Sequence, residues 1–225
     1  MKKILLLIFF SFFFVSNSNA ACDDPLTDGV DYSKCRFSDG QDLQGSYLPN
    51  SNLSFASFVQ VNLDKSIMMN SNLSFGTFPE STFVRANLYE SVSIGANFEK
   101  TNFTGANLTR VDFMGATLIE ANFQNSNLSF GTFPESTFVR ANLYETISIG
   151  GNFEKTNFTN ANLTRVDFMG ATLIEANFQN ANLMESNFTS ANITNANFEN
   201  ANLIGATWTN GKTCGPDSIG TCIEQ

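Results

Sequence analysis

The chain has 225 residues, enough for one domain of ordinary size, and a formal charge of −9. It contains no His, which excludes His-based catalysis and His metal ligation, and its acidity argues against electrostatic binding to nucleic-acid phosphates or anionic lipid. Phe occurs 24 times and Trp once, an odd balance for a mixed globular core.

Lys2 and Lys3 open a segment in which Ile4 to Val15 is nearly all apolar, and Ser18-Asn19-Ala20 has the small-x-small form of a cleavage site. The apolar run is about half of the roughly 20 residues that a spanning helix needs. Residues 1–20 therefore read as a secretory signal peptide cut after Ala20, which makes the protein exported, periplasmic or extracellular, with no stable membrane span. A short membrane anchor is the rival. A lipid-modified Cys22 is disfavoured because Asn19 stands where such sites want an aliphatic residue. Loss of Lys2 and Lys3 takes the formal charge from −9 to −11.

Four cysteines follow, Cys22 and Cys35 before the regular part of the chain and Cys214 and Cys222 after it. An even number in an exported chain suggests disulfides. Pairing of nearest neighbours, Cys22 with Cys35 and Cys214 with Cys222, is the simplest of three connectivities. A four-Cys metal site would need the two chain ends to meet, which an elongated fold forbids. Residues 21–40, rich in Asp, Gly and Cys, read as an irregular N-terminal cap. A repeat of five residues begins faintly at Phe37, with one extra residue before the regular phase.

From Leu43 to Trp208 a large residue stands at every fifth position; steps of five give 34 centres, of which 15 are Phe and 14 are Leu. The others are Met68, Ile193, Trp208, Ser93 and Ser148. Two residues before each centre stands a small residue or Val, with Gln41 the exception, and one before it most often Asn. A period of five fits neither the 3.6 of a helix nor the 2 of a flat strand. It needs a chain that turns a corner every five residues. The centre and the residue two before it share one side of an extended segment, so a large and a small side chain both point into a narrow core. The other three positions carry nearly all the charge and face solvent.

Within this stretch residues 71–125 recur almost verbatim as 126–180. The copies differ at Ser91/Thr146, Val92/Ile147, Ala96/Gly151 and Gly105/Asn160. Units such as ANFEK TNFTG ANLTR VDFMG ATLIE ANFQN resemble pentapeptide-repeat proteins, and the resemblance covers about residues 41–210. It implies an all-β fold, a right-handed quadrilateral parallel β-helix with four pentads per coil. On that count 34 pentads make about 8.5 coils, a column roughly 40 Å long at ~4.8 Å per coil. It implies little about activity, since members of the family differ widely in what they do. A column has two open ends that need covering. Residues 211–225, with the turn Asn210-Gly211 before them and Cys214 and Cys222 within, read as the C-terminal cap.

No phosphate loop, nucleophile elbow or metal-ligand cluster is present, so no catalytic, cofactor-binding or metal-binding residue is assigned and no cofactor is expected. The nine Asn-x-Ser/Thr sequences follow from Asn before a centre and Ser or Thr after it, and read as a by-product of the repeat. Ser93 and Ser148 break the core rule at matching places, with β-branched neighbours Val92/Ile94 and Ile147/Ile149. A local bulge that turns the neighbours inward is one expectation, and a small internal Ser with exposed neighbours is the other. Phe55 and Phe75 share an outward slot twenty residues apart, and Ile94 and Met114 lie further along in the neighbouring outward column. Together they mark a contiguous apolar strip of the kind that takes a partner. The copies are offset by 55 residues, eleven pentads, so matching residues fall on adjacent faces.

The function read from these features is a non-catalytic exported scaffold presenting a surface to a protein or envelope component, self-association included. Three alternatives stand beside it. They are a β-helical hydrolase acting on an extracellular polymer, an ice- or crystal-surface binder using Thr77, Thr117 and Thr137, and an acidic DNA mimic of the kind found among cytosolic members of the family.

Overall fold

The computed structural model describes residues 22, 25–37 and 39–225. The signal-peptide reading, with its cleavage after Ala20, lies outside the described residues. Along the chain one residue per pentad pairs in parallel with the residue twenty positions on, for example Asn62 with Thr82, Thr82 with Asn102 and Asn102 with Asn122. The offset of twenty is four pentads, so each circuit has four sides and every side is a ladder of parallel pairs. Two backbone bonds tie each pentad to the next circuit. Leu63 N–H donates to Thr82 O at 2.7 Å and Lys65 N–H to Val84 O at 2.9 Å. Between sides the chain turns through four residues closed by a hydrogen bond, as when Ala86 N–H donates to Phe83 O at 3.0 Å. The third residue of each turn has φ between about +54° and +76°, while the second does not appear in the left-handed region, which is the type II pattern. Gly, Asn and charged residues fill most of these slots, and Phe55, Gln60, Phe75, Phe130 and Ser190 fill the others. Replacement of Gly105 by Asn160 between the copies is conservative there, because Asn enters the left-handed region more readily than most residues.

The pentad centres stack in four internal columns and are almost all fully buried. In one column Phe58, Phe78 and Phe98 lie ring on ring at 5.1 and 4.8 Å. In another, Phe83, Phe103 and Phe123 stack at 5.1 and 4.9 Å. Rings of neighbouring columns meet edge to face, as Phe98 and Phe103 do at 5.2 Å. The small residue two before each centre leaves room for these rings. At Gly151 a Cβ would come within 2.6 Å of Phe153, and Phe153 meets Phe168 edge-on at 83°. In the first copy, where Ala96 replaces that glycine, the equivalent Phe98 and Phe113 stack at 15°.

The ladder begins earlier than residue 41, which corrects the reading of 21–40 as an irregular cap. Asp31 pairs with Asn52 and Arg36 with Ser57, at an offset of 21, and Asp42 with Asn62 at 20. The extra residue therefore falls between Phe37 and Leu43. Tyr32 and Phe37 are buried centres. The Tyr32 hydroxyl donates to Pro25 O at 2.8 Å and accepts Thr27 N–H at 3.0 Å, which holds residues 25–27 over the end of the column. Cys22 and Cys35 are joined with their Cα atoms 5.3 Å apart.

At the other end the chain reverses. Asn202 pairs with Ile219, Thr207 with Thr213 and Cys214 with Glu224, all antiparallel. Leu203 N–H donates to Ser218 O and Trp208 N–H to Lys212 O. Cys214 and Cys222 are bonded, Cα atoms 5.0 Å apart. This reversal covers the pentads at 201–205 and 206–210. The two preceding sides, 191–195 and 196–200, keep Asn192, Asn195 and Asn197 exposed and Ile193 and Phe198 only half-buried.

Candidate binding surface

Two pentads, 91–95 (Ser-Val-Ser-Ile-Gly) and 146–150 (Thr-Ile-Ser-Ile-Gly), have the polarity of the repeat inverted. Ser93 and Ser148 occupy the centre slot and are fully buried. Val92 and Ile147, where Asn usually stands, are exposed at 36% and 45%. The expected bulge is absent. Val92 N–H donates to Ser71 O at 2.9 Å, Leu73 N–H to Val92 O at 2.6 Å and Ser93 N–H to Asp112 O at 2.7 Å, so the ladder continues in register on both sides. A bulge would break ladder bonds to two neighbouring circuits, whereas an unpaired buried hydroxyl costs about 1–3 kcal/mol. The second loss is the smaller, and the hydroxyls of Ser93 and Ser148 are indeed left without a hydrogen-bond partner.

This arrangement makes a stability prediction. Ser93→Ala and Ser148→Ala each remove an unsatisfied hydroxyl at little cost in packing. Each is expected to raise unfolding free energy by about 1 kcal/mol in urea titration, with wild-type m. A loss of stability in both would show that the hydroxyls are solvated or bonded in solution.

Outside these pentads, Phe55 and Phe75 share one corner and stack at 5.1 Å. Phe75 is 53% exposed and rests against Gly95, where a Cβ would lie 2.9 Å from the ring. Phe130 is 60% exposed and rests on Gly150 with the same 2.9 Å approach. Next along each patch come Met114 and Met169, both exposed; Ile94 and Ile149 are half-buried beside them. The structure thus brings Phe55, Phe75, Ile94 and Met114 to one corner, with Val92 on the adjoining side. It assembles a second patch from Phe130, Ile147, Ile149 and Met169. The ladder through Val92 runs Asn72, Val92, Asp112, Thr132, and the ladder through Ile147 runs Asn127, Ile147, Asp167, Asn187. These are neighbouring sides of the column. The 2.75 circuits between copies put the patches about 13 Å apart along the axis. In the sequence Val92 and Ile147 stand out only as flanks of the Ser centres, with exposure as one of two expectations, and the expected surface strip omits Met169, the counterpart of Met114. The signal that finds them is the exchange of a polar centre for apolar flanks in both copies.

Charge is largely self-paired, and some of it shares the patch corners: Arg110 stands one circuit before Phe130, and Glu135 three circuits beyond Phe75. Arg110 meets Glu90 at 3.1 Å and Arg140 meets Glu120 at 2.6 Å. Arg165 bridges Glu145 at 3.2 Å and Glu185 at 2.7 Å. The Tyr89 hydroxyl first and Arg110 second hold the Glu90 carboxyl below the usual carboxylate range. Glu185, then Glu145, raise Arg165 further above its already high value. All are exposed, so their net worth to stability is small. The Thr row of the surface-binder alternative is interrupted, since Thr77 pairs with Asn97 before Thr117. The Asn of the Asn-x-Ser/Thr sequences use their side-chain oxygens within the turn. Asn102 Oδ1 accepts both Thr104 N–H at 3.0 Å and the Thr104 hydroxyl at 2.6 Å. Among the described residues no helix is long and apolar enough to cross a membrane.

A family model described as pentapeptide repeats matches in 8 copies, over residues 42–74, 81–118, 94–129, 136–173, 152–189 and 173–210. A search of the curated proteins finds no match. Among solved structures the chain is similar to trypsin-treated QnrB1, a plasmid-mediated fluoroquinolone resistance protein, at 13% identity and a TM-score of 0.50, covering 75% of this chain and 84% of that one. It is also similar to HetL, a pentapeptide repeat protein involved in heterocyst differentiation regulation from the cyanobacterium Nostoc sp., at 22% identity and a TM-score of 0.49, covering 84% and 92%. A third is a pentapeptide repeat protein of the Arabidopsis thaliana thylakoid lumen, at 21% identity and a TM-score of 0.27, covering 58% and 67%. At such identities the likeness concerns the fold. The matched segments span most of the chain, and their period is the one on which the ladders are built: the chain belongs to the pentapeptide-repeat family.

Proposed function

We propose that the protein is an exported, non-catalytic scaffold, a right-handed column of about 8.5 coils closed by a disulfide-bearing segment at each end, that presents its surface to a protein partner. The observation that carries this reading is the inverted pentad, present twice. Each leaves a hydroxyl unpartnered inside and β-branched carbon in solvent outside. Neither feature helps the column fold, and exposed apolar patches of this kind mark interaction sites. Export is supported by the two disulfides, which persist in oxidising compartments, and by the leader-like residues 1–20. The acidic residues lie on separate corners interleaved with Arg and Lys, which favours a solvated, self-paired surface over an acid–base pair or a continuous mimic of DNA charge.

The test is affinity capture with the protein lacking residues 1–20, from its native envelope or medium, beside the Phe75→Ser/Phe130→Ser variant. Both residues are exposed, so the circular dichroism spectrum is expected to be unchanged and the unfolding free energy from urea titration to stay within about 0.5 kcal/mol of wild type. A specific partner retained by wild type and lost by the variant supports the scaffold reading. Turnover of an extracellular polymer by the purified protein would overturn it.

A further inference from the structure

Each inverted pentad has a carboxylate on its C-terminal border in the same ladder. Asp112 pairs above Val92, and Asp167 above Ile147. Asp112 Oδ1 accepts Met114 N–H at 3.0 Å and Asp167 Oδ1 accepts Met169 N–H at 3.0 Å, which fixes both carboxylates beside the exposed methionines. Asn187 adds a second donor to Asp167. Neither Asp takes part in the ion pairs of the described residues, in contrast to Glu90, Glu120 and Glu145. The two copies therefore carry the same composite feature: an aromatic ring laid on glycine, a thioether, a β-branched side chain, and one unpaired negative charge.

We propose that these are two related half-sites, each of which docks one cationic amphipathic segment of a partner polypeptide; the first adds Phe55 beside Phe75, where the second has the ion-paired Arg110 beside Phe130. The segment's apolar side chains cover Phe75–Met114 or Phe130–Met169, and its Lys or Arg meets Asp112 or Asp167. The proposal rests on the scaffold reading and names its partner class. Charge selects this occupant. A second copy of the chain brings the same negative charge, −11 without residues 1–20, and the same Asp at the patch border, and is repelled. An anionic lipid surface is repelled likewise and, being flat, cannot lie against patches spread over two adjacent sides. A basic segment is attracted, and Met and Phe adapt to varied apolar side chains. Because the patches face adjacent sides of a rigid column, one straight segment cannot occupy both. The stoichiometry is two segments per chain, at independent sites.

The probe is an amphipathic Leu–Lys peptide of roughly 14 residues, about 21 Å as a helix. It is titrated calorimetrically into the folded protein beside a composition-matched scrambled peptide and a Leu–Glu counterpart. The expected result is two sites for the Leu–Lys peptide and none for the other two. Phe75→Ser/Met114→Ser is expected to leave one site of unchanged affinity, and Phe130→Ser/Met169→Ser to leave the other. Asp112→Asn/Asp167→Asn keeps the acceptor for the turn N–H. It is expected to weaken both sites about tenfold at low salt, with a shallower salt dependence. A stoichiometry of one, equal binding of the scrambled or Leu–Glu peptide, or indifference to both Ser variants would each overturn the proposal. Loss of Leu–Lys binding in a protein whose partner capture still depends on Phe75 and Phe130 overturns the cationic segment alone. Failure of both experiments overturns the scaffold reading with it.

Discussion

Phe103→Ala is expected to lower the unfolding free energy by about 3–5 kcal/mol, the range for emptying a fully buried aromatic site. The ring is fully buried. It stacks on Phe83 at 5.1 Å and Phe123 at 4.9 Å, and meets Phe98 edge-on at 5.2 Å. The column cannot collapse into the space, because the backbone ladder at 102–103 is fixed by bonds to circuits above and below: Asn102 N–H to Ser81 O at 2.9 Å and Phe103 N–H to Asn122 O at 2.7 Å. The duplication provides an internal control. Phe158 holds the equivalent place between Phe138 and Phe178, with both stacks at 5.1 Å, so Phe158→Ala is expected to cost about as much. A repeat column is stabilised by nearest-neighbour contacts. With the two sites about 13 Å apart along the axis, the double variant is expected to be additive within about 0.5 kcal/mol. Urea titrations of the four proteins check this. A single loss under about 1 kcal/mol would mean that the circuits adjust more freely than the ladder implies.

The second large effect is expected at the C-terminal end. The Cys214–Cys222 bond closes a loop with a sequence separation of 8, which on the chain-entropy account is worth about 2.5 kcal/mol. Cys214→Ser/Cys222→Ser is expected to lose about that much from the last circuit. Trp208 reports it, as the chain's one Trp. Its backbone N–H donates to Lys212 O at 2.7 Å, and its ring packs on Phe188 at 5.5 Å and Phe198 at 5.3 Å. Trp fluorescence is expected to shift red at lower urea than the far-ultraviolet transition in the variant, and together with it in wild type. Coincident transitions in both proteins would contradict a locally anchored end. An ion pair adds a pH dependence of known sign. Lys212, then Asn210, hold the Glu224 carboxyl below its usual range, and Glu224 raises Lys212. The contribution of Glu224 is complete above the ordinary Glu pKa and is lost as pH falls through the depressed value. That of Lys212 is lost only as pH rises through the raised one. In the variant the red shift is therefore expected to come at still lower urea in acid than at neutral pH, by a small margin, since both groups are exposed.

Much of the candidate surface was legible in the residues, and some was not. Phe55 and Phe75 are visible as a pair once twenty residues make a circuit. Ile94 and Met114 follow on the same count, although Ile94 proves half-buried. The bulge expected at Ser93 and Ser148 does not form, because ladder bonds to the circuits on both sides hold Val92 and Ile147 in register, and local composition does not contain those bonds. Tyr32 was hidden in a segment that reads as irregular. One extra residue before Leu43 shifts the phase, and only the pairing of Asp31 with Asn52 shows that the coil has already begun.

By itself the five-residue period determined the wall of this protein: which side chains point inward, where the corners fall, and that the fold is a coil. That information is local, since a centre, its small neighbour and its corner lie within one pentad. Tertiary structure decided what stands beside what. The offset of twenty stacks Phe75 on Gly95 and sets Asp112 over Val92, and the remainder of 55 on division by twenty turns the second patch onto the adjacent side. Those contacts join residues one or more circuits apart, and their energies depend on backbone ladders that no single pentad contains.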